Sequence, residues 1–217
     1  MSGLKSLARK YNLELIEDAA EAIGADLNGT YAGTFGRMGV LSFNGNKTIT
    51  TGSGGAIFFK NKKDYERAKV LANVGKIKNG NRVFFKTLGF NYKMNNMQAA
   101  LGIAQLNKLN YILKLKKKIN EKYIKELSKS LSSELFQRRN KIGYNFWLNV
   151  LLLNSNLSPN KHKIVEFLIR KKINVRSSWE LLHKVNYFKD NPKMDLKSSE
   201  ILYEKIINLP SSPKYAI

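Results

Sequence analysis

Cysteine is absent from all 217 residues, so neither a disulfide framework nor a thiolate metal site is open to this chain, which suits a reducing cytosol. No run of about 18 uncharged apolar residues occurs, which excludes a membrane-spanning helix. The first ten residues lack the apolar segment of a secretory signal and read instead as an amphipathic helix. Acids are scarce: 16 Asp and Glu stand against 38 Lys and Arg, a formal charge of +22. That excess invites a nucleic-acid reading through phosphate contacts. Against it, the lysines are spread along the chain and outnumber arginine, the better residue for bidentate phosphate recognition. Lysine, asparagine and isoleucine are abundant together, as an AT-rich coding sequence would make them. At 43% hydrophobic and 11% aromatic the chain is not disordered, and its length suffices for a sizeable core.

The stretch over 40–56, VLSFNGNKTITTGSGGA, organises the rest. Val40-Leu41-Ser42-Phe43 reads as a buried strand and Asn44-Gly45-Asn46 as a turn, with Ala56-Ile57-Phe58-Phe59 as a second apolar run. Between them stands Lys47, a single amine just past a strand end with no acid nearby in sequence. α/β sheets place their binding crevices at such a point, and a desolvated lysine there serves as a nucleophile. The competing reading is a surface lysine in a hairpin loop. Ser42, a hydroxyl inside an apolar strand, loses solvation unless it finds a partner.

Around this stretch the pattern predicts a helix over 3–11, a strand over 13–17 ending in Glu17-Asp18, a turn over 19–24, and an Asn-Gly hairpin over 27–31. A helix follows over 61–73, stopped by Gly75, and then a polar loop over 77–86. Asn95 or Asn96 caps a long helix that bends near Asn110, and its basic run over 114–118 reads as a solvated face. A serine-rich break over 128–133 marks the expected domain boundary, giving domains 1–128 and 129–217. Beyond it, strands are expected over 135–136, 146–153 and 173–176, and helices over 161–171 and 196–207: a small α+β domain.

Three separated blocks now stand in order. These are Ile16-Glu17-Asp18-Ala19-Ala20-Glu21-Ala22, then Ser42-Phe43 through Asn46-Lys47 to Thr50-Thr51-Gly52, then Gly89-Phe90-Asn91-Tyr92-Lys93-Met94 leading to Gln98-Ala99-Ala100. Together they resemble the DegT/DnrJ/EryC1/StrS sugar aminotransferases, pyridoxal-phosphate (PLP) enzymes. The resemblance implies an α/β chain of fold type I, with part of a large domain built on a mixed, mostly parallel sheet and a small C-terminal α+β domain. It makes Lys47 the Schiff-base lysine that shuttles the proton, and Asp18 the partner of the pyridine nitrogen. Glu21 falls near the cofactor's ring oxygen, Ser42 donates to the phosphate, and Asn91 reaches the phosphate from the neighbouring subunit of a homodimer. For Asp18 and Glu21 the plain alternatives are a helix cap and a first-turn acid. Lys93 stands where many members carry arginine.

In the C-terminal part, Asn145 to Asn149, Val175 to Lys184 and Asn208 to Ser212 resemble the branch that aminates a 4-keto-6-deoxy nucleotide sugar, the legionaminic-acid and perosamine-type enzymes. Trp179 and His183, four apart on one expected helical face, become candidate walls of the sugar pocket. The plain alternatives are a core anchor and a satisfied surface group; His162 is expected at the surface. Arg37 replaces the family's usual acid after Phe-Gly, which reverses an ion pair, and Ser177 replaces a common proline. The family's first strands, its phosphate-cradling turn and its stacking aromatic ring precede Leu4 and are absent from this sequence.

Three functions are therefore weighed. One is transamination of a nucleotide sugar with glutamate as the expected amino donor, in surface-polysaccharide or nonulosonic-acid biosynthesis in the cytoplasm. Another is an inactive truncated or split fragment of such an enzyme. The third is a basic nucleic-acid-binding protein. No metal is expected.

Overall fold

Leu4, Leu7 and Ala8 recur at helical spacing, and the chain opens on α1 (Ser2–Lys10). The computed structural model describes residues 1–129, 133–137 and 142–216, with Ile142 by its backbone alone. Contacts divide the chain into Met1–Ile112 with Lys141–Asn145, and Leu113–Asn140 with Phe146–Ile217. The serine-rich break over 128–133 lies partly outside the described residues, and the contact division falls earlier, inside a helix.

In the first unit, β1 (Ile16–Asp18) is shorter than the alternation over 13–17 predicts. The Asn-Gly signal does form a hairpin, pairing β2 (Asp26–Leu27) with β3 (Thr30–Tyr31). Asn28 and Gly29, at φ 53° and 79°, take the left-handed pair that a two-residue type I′ turn requires. Next, β4 (Met38–Ser42) lies parallel to β1, with Ile16 opposite Met38 and Asp18 opposite Val40. Its other edge pairs antiparallel with β5 (Gly55–Phe59). The sheet, in the order β1-β4-β5, is thus mixed. β4 is central and buries Leu41, which packs with Ala19, Ile23, Phe43 and Ile49. Ile16, Ile57 and Phe58 on the flanking strands are about half exposed, at 60%, 50% and 47%.

Asn61 caps α2 (Lys62–Ala72) by accepting from the Lys63 N–H at 2.8 Å. The expected loop over 77–86 is instead a hairpin of β6 (Lys76–Asn79) and β7 (Arg82–Phe85). Its lysine-rich first strand hid the alternation, although Asn79-Gly80 is itself a turn signal. Asn95 caps α3 (Asn96–Asn107), and the expected bend is a break at Lys108 before α4 (Leu109–Leu127).

In the second unit, β8 (Ser133–Leu135) leads the sheet. The next strand in sequence, β9 (Ile142–Gly143), belongs to the first unit, where it pairs with β2. Then come β10 (Asn149–Leu153), α5 (Lys161–Arg170), β11 (Arg176–Ser177), α6 (Lys197–Lys205) and β12 (Ile206–Leu209). The helix expected over 196–207 stops at Lys205, because β-branched Ile206 and Ile207 enter the sheet beside β10. The strands run β11-β12-β10-β8, all antiparallel, over a core of Leu151, Leu153, Val175 and Ile207.

The basic run over 114–118 is not wholly solvated. Lys116 is only 4% exposed and donates to the carbonyls of Ser211 at 2.8 Å and Trp147 at 3.4 Å. Asn120 and Tyr123, one and two turns on, donate to Asn149 Oδ1 at 2.9 Å and Pro210 O at 3.1 Å. Spacing of four and three residues places the trio on one helix face.

Candidate active site

Asp18 and Ser42 are set by the parallel pairing of β1 and β4. Asp18 lies opposite Val40, and Ser42 is two residues further along, at the end of β4. Asp18 is exposed and its Oδ1 accepts the Ala20 N–H at 3.0 Å, opening the turn toward Glu21. Ser42 Oγ accepts the Asn44 N–H at 3.3 Å, so its own proton remains available to donate. The chain then loops through Asn44-Gly45-Asn46 to Lys47.

Lys47 is not an isolated amine. Its Nζ lies 3.0 Å from Glu21 Oε1, a partner 26 residues earlier, and its side chain is 12% exposed against 49% for the acid. The missing acid of the linear sequence is supplied by the β1–β4 crossover. The loop behind the amine is tied to β4 by two bonds to the Phe43 carbonyl, one from Thr51 N at 2.9 Å and one from Thr50 Oγ1 at 3.0 Å. Ile49, 1% exposed, anchors it in the core. Thr48 is buried, and its Oγ1 has no hydrogen-bond partner among the described residues.

Asn91 and Lys93 are exposed. Their segment is bonded to the end of α2, through Phe90 N to Leu71 O at 2.7 Å and Tyr92 N to Ala72 O at 3.0 Å.

Trp179 and His183 belong to the second unit and are not on one helix: 178–181 is irregular, and a short 3₁₀ turn, Leu182–Lys184, follows. Trp179 is 61% exposed and stacks on Trp147 at 5.9 Å, so it is no core anchor. His183 Nε2 meets Glu200 Oε1 at 3.1 Å, and with Lys184 it holds that carboxyl below the usual carboxylate range. His162 is exposed, as expected. Arg37 forks onto Asp64 at 2.6 and 2.7 Å and reaches Glu14 at 2.9 Å, so the cation in the acid's usual place has found its own acids.

One residue that the sequence reading left unassigned is Glu17. Buried at 6%, it faces away from Asp18 and accepts the N–H groups of Gly33 at 2.9 Å and Gly36 at 2.6 Å. The signal was an acid at an inward position of an apolar strand.

The donor set suits PLP: a covered amine, a carboxylate at the end of the neighbouring strand, and a strand-end hydroxyl with a proton to give. The fold is that of the PLP-dependent transferases of fold type I. The chain belongs to the DegT/DnrJ/EryC1/StrS aminotransferase family, whose model matches residues 1–216. It is 33% identical over 214 residues to a GDP-perosamine synthase of Vibrio cholerae, covering 98% of this chain and 58% of that one. It is 28% identical to a UDP-4-amino-4,6-dideoxy-N-acetyl-beta-L-altrosamine transaminase of Campylobacter jejuni, covering 97% of this chain and 56% of that one. In fold it is similar to Helicobacter pylori PseC, an aminotransferase involved in the biosynthesis of pseudoaminic acid. The TM-score is 0.89 at 24% identity, over 96% of this chain and 57% of that one. The chain thus spans somewhat over half the length of these relatives. Among the described residues, no helix is long and apolar enough to cross a membrane.

Proposed function

We propose that this chain is the Lys47-bearing part of a PLP-dependent enzyme that transaminates a 4-keto-6-deoxy nucleotide sugar, with glutamate as amino donor. The observation that carries the reading is the amine of Lys47, covered and held 3.0 Å from Glu21, in the loop that follows the end of β4. Bound PLP supplies an electron sink for the carbon from which a proton is taken. The chain's own residues do the rest. Lys47 would hold the cofactor and, once released, would carry the proton at the substrate carbon. Asp18 would hold a proton on the pyridine nitrogen, Glu21 would orient the amine, and the Ser42 hydroxyl would bind the phosphate. Asn91 reaches the phosphate of a partner subunit, and Lys93 adds charge near the anionic substrate. Trp179 and His183 wall the sugar.

The enzyme works in the cytoplasm as a homodimer. Phe85, Leu88 and Tyr92, 70%, 83% and 76% exposed on the β6–β7 hairpin and the segment that carries Asn91, support a paired surface there. We place the sequence boundary between the large and small domains at 128–129, after the long helix α4. Because the chain spans 58% of the perosamine synthase, a second reading has the isolated chain inactive until the rest of that length is supplied.

Adding PLP to the purified chain, reducing with borohydride and mapping the peptides tests the proposal. The expected result is one dominant adduct, on Lys47, lost in Lys47→Ala. An adduct scattered over the many exposed lysines refutes the cofactor site. A clean Lys47 adduct without turnover supports the second reading. Steeply salt-dependent DNA binding without any adduct would return the charge to the foreground.

A further inference from the structure

The turn that carries Glu21 is not held by its own neighbourhood alone. Its flanks are bonded to β4, through Ala19 N to Val40 O at 2.9 Å, and within the turn, through Ala22 N to Ala19 O at 3.0 Å and Ala25 N to Ala22 O at 2.9 Å. The apex carbonyl of Glu21 is taken by a side chain 124 residues away, Asn145, whose Nδ2 donates to it at 2.6 Å. Asn145 is 9% exposed, so this amide is committed to the interior. The segment before it is stitched to the same region, because β9 pairs antiparallel with β2, Gly143 opposite Asp26 and Ile142 opposite Leu27. The approach is close at Gly143, where a Cβ would fall on the Asp26 carboxylate and force that side chain to turn aside. Asp26 Oδ1 is in turn fixed by the Gly29 N–H at 2.9 Å.

We infer that Asn145 is a positioning residue for the Lys47 amine, acting through Glu21. The inference rests on the reading of Lys47 as the cofactor-bearing lysine. The Glu21 backbone is pinned by Asn145, its carboxylate meets Lys47 Nζ at 3.0 Å, and the amine is therefore placed by a segment remote in sequence. Removing the amide donor frees the apex, lets the Glu21 carboxylate move into solvent, where its side chain is already 49% exposed, and leaves Lys47 without that anchor.

The test is competitive acetylation of the 217-residue chain without cofactor, with limiting acetic anhydride, each lysine quantified by peptide mass spectrometry. Exposed Lys118 and Lys60 serve as references. Asn145→Ala should raise Lys47 labelling about threefold or more against both references, Glu21→Ala should raise it by the same factor, and the double variant should match Glu21→Ala alone. Unchanged Lys47 labelling in Asn145→Ala overturns the inference. So does a double variant in which the two effects multiply, or a rise shared by Lys60, which marks general loosening. The isosteric Asn145→Asp, with an acceptor in place of the donor, keeps the comparison available should the alanine variant lose its cooperative unfolding transition. If both variants unfold, Asn145 is structural and the assignment falls. The cofactor reading is judged separately: failure of wild-type chain to give a Lys47 adduct with PLP removes that reading and leaves the acetylation result standing.

Discussion

Replacing Lys116 with methionine removes a buried ammonium while keeping most of its volume. Burial lowers this amine's pKa from 10.5 to about 8, with no acid among the described residues near enough to offset the loss of solvation. At about 1.4 kcal/mol per pH unit, the gap between unfolded and folded values amounts to roughly 3 kcal/mol. The folded value lies below the unfolded one, so below pH 8 both states carry the proton and the folded state bears the whole penalty. Between about pH 8 and 10.5 the folded protein releases its proton while the unfolded chain keeps it. The unfolded state then binds more protons, and stability rises with pH. Above 10.5 the penalty is gone.

Methionine also leaves the Ser211 and Trp147 carbonyls without their donor, at a cost of about 1–3 kcal/mol at every pH. The level at pH 7 is therefore a poor readout, and the slope is the diagnostic one. Urea unfolding followed by tryptophan fluorescence reports this unit, because both tryptophans, Trp147 and Trp179, lie in it. Wild type should gain about 2 kcal/mol on Lys116→Met between pH 8 and 9.5. Tyr123, whose hydroxyl burial pushes upward in pKa, lowers stability at the alkaline end, but it is common to both proteins and cancels in the difference. Parallel curves for the two proteins across this range would refute the argument.

Glu17→Ala should cost about 3 kcal/mol of stability, because it strands the buried N–H groups of Gly33 and Gly36; a melting temperature within a degree of wild type would count against this. Thr48→Val, isosteric at a hydroxyl with no partner, should stabilise by about 1 kcal/mol, and destabilisation in urea would reveal a missing partner. Ser42→Ala should weaken PLP binding by about tenfold, the worth of one hydrogen bond to a charged phosphate, read as the concentration dependence of adduct formation.

Local chemistry was readable before any coordinates. Asn28-Gly29 dictates its turn because left-handed backbone is inexpensive for those residues, Asn95, one of two expected caps, starts α3, and the apolar run through Leu41 and Phe43 becomes the central strand. The three motif blocks supplied the candidate residues of the site. The β6–β7 hairpin was missed because lysines alternate with its apolar residues. The end of α6 was misplaced because the preference of Ile206 for a strand is decided by the neighbouring β10, not by its own propensity. What the linear chain left open is which charges meet. Glu21 finds Lys47, Asp64 finds Arg37, Lys116 finds only carbonyls, and Asn145 closes on Glu21. Residue types and turns are properties of a few adjacent positions, so sequence determines them. Partners separated by 26 to 124 residues are brought together only by strand pairing and burial, so tertiary structure decides them.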